Sequence, residues 1–183
     1  MHVNKNLFIL TGGPGSGKTT TLLELEKLGF AFLPEIARQI IQEQVRDDGE
    51  ALPWANRERY TALMLSRSIQ SYRKHARVSR TTFADRGIPD TLAYARLIQL
   101  TRQQTIRAAC DRFRYADRVF LAPPWLEIYE TDSERKQDFE EAQRTYTELL
   151  RTYKECDYQI IELPRVRPAE RARFILEWIG APF

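Results

Sequence analysis

Eight consecutive residues, Gly12-Gly13-Pro14-Gly15-Ser16-Gly17-Lys18-Thr19, follow the pattern glycine, any four residues, glycine, lysine, serine or threonine. The glycines let the backbone curl until several N–H groups converge on one point, which cradles phosphate oxygens. A helix beginning near Lys18 adds the positive end of its dipole. In such a loop Lys18 reaches the β and γ phosphates and Thr19 ligates Mg²⁺, while Gly13, Gly15, Ser16, Gly17 and Thr20 complete the nucleotide-binding set. The chemistry this permits is binding of a nucleotide triphosphate and transfer or hydrolysis of its γ-phosphate. A guanine-reading Asn-Lys-x-Asp sequence is absent, because the one Asn-Lys pair, Asn4-Lys5, precedes the loop and lacks the Asp. ATP with Mg²⁺ is therefore the expected cofactor pair.

Three further groups have the types and positions that phosphoryl transfer needs. Asp85 and Arg86 follow a strand candidate directly, so a carboxylate and a guanidinium would leave it together. Such an Asp holds Mg²⁺, usually through water, and the Arg can clamp a phosphate or a substrate oxygen. The alternative is an Asp-Arg-Gly surface turn. Glu35, just after Pro34, would sit where an acceptor hydroxyl binds, to take its proton or hold it in line, with Arg38 one turn further on. The alternative for Glu35 is a first-turn helix residue favoured by the macrodipole. Arg135, within residues 131–137, is expected on a helical lid that closes over the phosphates, or else on a solvated helix start. The expected catalytic set is thus Lys18, Glu35, Asp85, Arg86 and Arg135, the metal set Thr19 and Asp85, and the acceptor set Glu35, Arg38 and Arg86.

These residues need elements to carry them. The apolar run 7–10 reads as a buried strand ending at the glycine loop, and Leu22, Leu25 and Leu28 give the helical spacing that follows, with Gly29 as its stop. Strand candidates recur at 30–33, 81–84, 119–122 and 158–163. The third is the weakest, since 78–84 is less apolar than a buried strand should be. Helical patterns fill 35–45, the segment after Asn56 to about His75, 91–100, 103–113, the stretch behind the Thr131/Glu134 capping box, and 168–179. Strands alternating with helices predict a three-layer α/β fold around a parallel sheet, with the loops after all five strands on one ligand-binding rim.

At 183 residues, 43% hydrophobic and 29% charged, the chain is expected to form one domain spanning 1–183. A charge of +3, from 28 basic and 25 acidic residues, does not indicate nucleic acid. Arg102, Arg107, Arg112, Arg114 and Arg118 form a basic stretch that reads as a solvated face or as a surface for an anionic partner. Trp54, Trp125 and Trp178 read as packing residues, with Trp125 near the rim. Cys110 and Cys156 lack metal-ligand spacing, and neither zinc nor a disulfide is expected. No apolar run reaches the length of a membrane span or a signal-peptide core, so a cytoplasmic protein is the expectation.

The chain resembles, from about Asn6 to Ile179, the small P-loop AAA-type ATPase-like family that includes the nicotinamide riboside kinase domain of a bacterial NAD-biosynthesis regulator. The resemblance rests on the glycine loop, Pro34-Glu35 with Arg38, residues 83–90, Pro123-Pro124-Trp125, and the segments around Thr131-Asp132 and Asp138-Phe139-Glu140. It implies a nucleotide-kinase-like sheet and ATP-dependent phosphorylation of a small hydroxyl compound, a nucleoside-like acceptor included. A related animal branch is similar to GTP- and phosphoinositide-binding trafficking proteins. The resemblance thus also admits a nucleotide-dependent regulator with an anionic partner such as phosphoinositide or nucleic acid.

Overall fold

The strand leading into the glycine loop is buried on both faces. Leu7 and Ile9 pack with Ala84, Val119 and Leu121 on one side, while Phe8 and Leu10 pack with Phe83, Phe120 and Ala122 on the other. Side chains alternate across a strand, so this double burial requires a helical layer on each face of the sheet. The computed structural model describes residues 2–77, 79–128 and 139–181. Its elements run β1 (His2–Val3), β2 (Leu7–Gly12), α1 (Lys18–Lys27), β3 (Ala31–Leu33), α2 (Ile36–Arg46), α3 (Arg57–Lys74), β4 (Thr82–Asp85), α4 (Ile88–Leu97) and α5 (Gln104–Arg112). They continue with β5 (Phe113–Arg114), β6 (Arg118–Ala122), a 3₁₀ turn at Leu126–Ile128, α6 (Phe139–Glu155), β7 (Gln159–Glu162) and α7 (Pro168–Ile179).

Five strands form one sheet in the order β3-β4-β2-β6-β7, every neighbouring pair parallel. Helices α1 and α7 cover one face, and α4, α5 and α6 cover the other. Helices α2 and α3 close a smaller core of their own around Ile40, Tyr60 and Met64. Because all five strands run the same way, the segments that follow them emerge at one edge, as the alternating pattern predicts.

The departures from the pattern have local causes. Strand β2 continues past Leu10 to Gly12, because Thr11 and Gly12 still pair with Leu121 and Ala122 of β6. The weakest strand candidate is in fact the fully buried neighbour of β2. Only Thr82–Asp85 lies in the sheet, and the polar residues before it fall outside the strand. Asn56 does cap α3, its Oδ1 accepting from the Arg59 N–H at 3.0 Å. Helix α4 starts three residues early, at Ile88, because Asp90 caps the Gly87 N–H and Pro89 fits a first turn. The pairing of β1 with β5 has no sequence signal, as two residues carry no period.

The basic stretch does not form one face. Arg114 is buried, bonded to the carbonyls of Cys156 and Asp157 and lying over the Tyr158 ring, while Arg107 pairs with Glu155 and Arg118 bonds the Trp178 carbonyl. Cys110 and Cys156, distant in sequence, are buried side by side as free thiols. No helix among the described residues is long and apolar enough to cross a membrane.

Phe120 of β6 is fully buried in the core between the sheet and α1 and α7. Phe120→Ala is expected to cost about 3–5 kcal/mol, read as a drop in the urea midpoint with an unchanged slope.

Candidate active site

The glycine loop keeps its shape because no side chain fits within it. Gly12 has φ +151°, and a Cβ there would lie 2.6 Å from the Ala122 carbonyl oxygen. Gly17, with φ +80°, turns the chain into α1, and a Cβ on it would lie 3.0 Å from Arg171 Nη1. Ser16 is buried and donates to the Gly13 carbonyl at 2.8 Å. Lys18 is folded back over the loop, with Nζ 3.0 Å from both the Gly12 and Gly13 carbonyl oxygens. Burial, with help from the Arg86 charge, lowers its pKa to about 8. Thr19 is exposed on the first turn of α1, and Thr20 donates to the Gly17 carbonyl at 2.9 Å.

Beside this loop lies a buried ionic cluster. Asp85 ends β4, and Arg86 follows in the left-handed region at φ +73°, a conformation that costs about 1–3 kcal/mol in a residue with a side chain. That turn aims the guanidinium along the rim, where Nε donates to Glu35 Oε1 at 2.8 Å and Nη1 to Asp90 Oδ1 at 3.3 Å. Glu35 occupies the N-cap position of α2, yet its side chain caps nothing and reaches Arg86 instead. The macrodipole alternative therefore does not describe its contacts. Burial pushes the Glu35 carboxyl up, but Arg86, Lys18 and the Arg86 hydrogen bond together hold it well below the usual range. Asp90 gathers Thr11 Oγ1 at 2.5 Å, the Gly87 N–H at 2.7 Å and the Tyr153 hydroxyl at 2.5 Å.

Asp85 differs from its neighbours. Burial pushes it up to about 6 against the pull of Lys18, and its Oδ1 is buried with no hydrogen-bond partner. Three carboxylates, Glu35, Asp85 and Asp90, share the field of three cations, Lys18, Arg86 and Arg38, and the Asp85 Oδ1 stays without a partner. That orphaned oxygen fits a divalent cation bound near Asp85 and the Thr19 hydroxyl. No cluster of three or more His, Cys, Asp or Glu side chains among the described residues is arranged to hold a metal. The remaining Mg²⁺ ligands would then be phosphate oxygens and water, as is usual for this ion.

The loop, the cluster and the helices α2 to α4 surround a cleft of about 1870 Å³. One end holds the glycine loop with Trp125, Val166 and Arg171. The other holds Glu35, Arg38, Tyr60, Met64 and Tyr94, with Trp54 exposed at its mouth. Trp54 is therefore not a packing residue, because it lies in the turn before α3 where no element covers it. The structure brings together Lys18, Glu35, Arg38, Asp85 and Arg86 on this one cleft, with the glycine-loop residues. Arg135 and the expected lid lie outside the described residues. Asp90, Tyr94 and Arg171 carry no motif spacing of their own, and the Asp90 partners Thr11 and Tyr153 lie 79 and 63 residues away.

A family model described as an AAA domain matches residues 7–171. No curated protein matches the chain by sequence. Among solved structures, that of the NadR protein in complex with NR is 18% identical with a TM-score of 0.75, covering 98% of this chain and 53% of that one. The chain thus spans about half the length of NadR. A deoxyadenosine kinase from M. mycoides, bound to dCMP and dCDP, is 14% identical over 95% of this chain and 98% of that one, with a TM-score of 0.70. A shikimate kinase from Acinetobacter baumannii, in complex with shikimate, is 19% identical over 96% and 93%, with a TM-score of 0.56. Such identities speak for a shared fold, the α/β fold of P-loop kinases, and the match over residues 7–171 shows that this chain belongs to the AAA domain family.

Proposed function

We propose that the protein is a Mg²⁺-dependent kinase that transfers the γ-phosphate of ATP to a hydroxyl group of a small molecule. The observation that carries this reading is the Glu35 carboxylate, bonded to Arg86 at 2.8 Å and close enough to Lys18 to feel its charge. An anion fixed at the point of transfer repels a phosphate acceptor and welcomes a hydroxyl, to which it offers a hydrogen-bond acceptor. That favours a hydroxyl acceptor, against the pull that Arg38 and Arg86 beside it would exert on a phosphate. Among proteins of the same fold, the names of a deoxyadenosine kinase and a shikimate kinase agree with it, while that of a thymidylate kinase from Ehrlichia chaffeensis, 16% identical over 98% of this chain and 99% of that one with a TM-score of 0.62, names a monophosphate. A nucleoside-like acceptor also agrees with the hydroxyl reading, since NR is the molecule in the NadR structure.

In the reaction, the acceptor oxygen attacks the γ-phosphorus, the bond from that phosphorus to the β,γ-bridging oxygen breaks, and ADP leaves. Little covalent assistance is needed, because the transition state is loose and its charge lies on the phosphoryl oxygens. Lys18 leaves the carbonyls of Gly12 and Gly13 for the β and γ phosphates, and the loop N–H groups hold the same oxygens. Glu35, kept ionised by Arg86, holds the acceptor hydroxyl in line and takes its proton late, once bond formation has made that oxygen acidic. Arg86 has two of its edges committed to Glu35 and Asp90, so its main task is to orient Glu35. Arg38, one turn along α2, faces the acceptor end of the cleft. Mg²⁺, held by Thr19 and through water by Asp85, would neutralise charge building on the β and γ phosphates.

Lys18→Ala should weaken ATP binding by about a hundredfold or more in calorimetric titration, and unchanged affinity would remove the glycine loop from the mechanism. Glu35→Gln should lower turnover by about 10²- to 10⁴-fold with ATP affinity within about threefold of the original. Its readout is ADP release across a panel of nucleosides, vitamins and sugars, each paired with its phosphate ester. Stimulation by the esters and not by the free hydroxyl compounds would overturn the hydroxyl assignment.

A further inference from the structure

Arg171 is 1% exposed and is the largest fully buried side chain among the described residues. It extends from α7 to the carbonyl side of the Ser16-Gly17 peptide, at the glycine-loop end of the cleft, where Nη1 donates to the Ser16 carbonyl at 2.7 Å and Nε to the Pro164 carbonyl at 2.8 Å. The Trp125 ring covers it, with the guanidinium carbon 5.1 Å from the ring centroid. Its Nη2 is buried without a hydrogen-bond partner, and no carboxylate among the described residues forms an ion pair with it. Burial and the nearby Arg165 charge both work against its ionised form. Buried charges are normally paired, so a cation held this deep by carbonyls and an indole alone calls for a counter-charge.

The position of the counter-charge follows from the peptide that Arg171 holds. In a trans peptide the N–H points away from the C=O, so the Gly17 N–H faces opposite to the Ser16 carbonyl that the guanidinium occupies. That N–H has no acceptor among the described residues. A cation on the carbonyl side polarises the peptide and makes its N–H a stronger donor. The loop between them is a single backbone thickness, since a Cβ on Gly17 would already lie 3.0 Å from Nη1. Trp125 keeps water from the guanidinium, so its field is screened less than that of a surface charge.

We propose that Arg171 is a positioning residue for polyphosphate, which grips the Ser16-Gly17 peptide from behind and supplies a buried positive charge that a bound triphosphate completes. This rests on the nucleotide-binding reading above and extends it to a helix far along the chain. Its contribution is to anion affinity, and recognition of the base or the acceptor does not depend on it. A purely mechanical strut would need the hydrogen bonds but not the charge, and the two can be separated.

The test titrates inorganic tripolyphosphate and ATP, by calorimetry, into the unaltered protein, Arg171→Lys and Arg171→Gln, with folding checked by circular dichroism and thermal melting. Arg171→Gln, neutral but still a donor, should bind both probes about tenfold more weakly, with the ratio of ATP to tripolyphosphate affinity preserved. Arg171→Lys, which keeps the charge, should stay within about threefold of the unaltered protein. Equal losses in the two variants, or unaltered tripolyphosphate binding by a folded Arg171→Gln, would reduce Arg171 to a strut. Should Arg171→Gln not fold, Arg171→Lys decides alone, and a loss beyond about tenfold in the folded variant overturns the proposal. Binding of neither probe by the unaltered protein would instead overturn the nucleotide reading itself, and this inference with it.

Discussion

A half-buried guanidinium held between two carboxylates, Arg86 between Glu35 and Asp90, ties the rim of the sheet together. Each partner belongs to a different part of the fold. Glu35 stands at the start of α2 and Asp90 in the first turn of α4, where it also receives hydroxyls from β2 and α6. The left-handed backbone at Arg86 is tolerable only because these contacts over-determine it. Removing one member would leave a partly buried charge without its partner, a cost that couples the members of the cluster.

The same cluster sets the electrostatics of the cleft. Glu35 is held as an anion by its guanidinium, whereas Asp85, equally close to the sheet edge, keeps an orphaned oxygen and is pushed up by burial. Two carboxylates that share the fields of Arg86 and Lys18 are thus driven in opposite directions. Environment sets their ionisation apart, which is what the proposed roles in acceptor and metal binding would use. Lys18, lowered by burial and resting on loop carbonyls, carries its proton ready for exchange onto phosphate oxygens. Arg171 holds the Ser16 carbonyl, so the glycine loop is flanked by two cations, Lys18 and Arg171.

Much of this was legible in residue order. The glycine loop requires a strand before it and a helix after it, and both are present because the chemistry works only in that local context. Asp85-Arg86 and Pro34-Glu35 were recognisable because parallel strands deliver whatever follows them to one edge. The weak apolar content before Thr82 misled, since a short central strand needs only four inward residues and the sheet supplies the rest. The basic stretch misled for a related reason: linear proximity of arginines says nothing about direction, and Arg114 turns into the core to bond two carbonyls. Asp90 lies in the 83–90 segment but meets Thr11 and Tyr153 only in the fold, and Arg171 reaches Ser16 across 155 residues.

By itself the sequence determined the phosphate cradle, the alternation of strands and helices, and the edge on which the chemistry would gather, because these depend on neighbours along the chain. The tertiary structure decided which carboxylate is pinned and which is free, where Arg86 points, and that a helix near the end of the chain supports a loop near its beginning. These depend on burial and on charges meeting across the fold. An unfolded chain leaves such groups solvated and alike, and only packing in a medium of low polarity drives their ionisation and orientation apart.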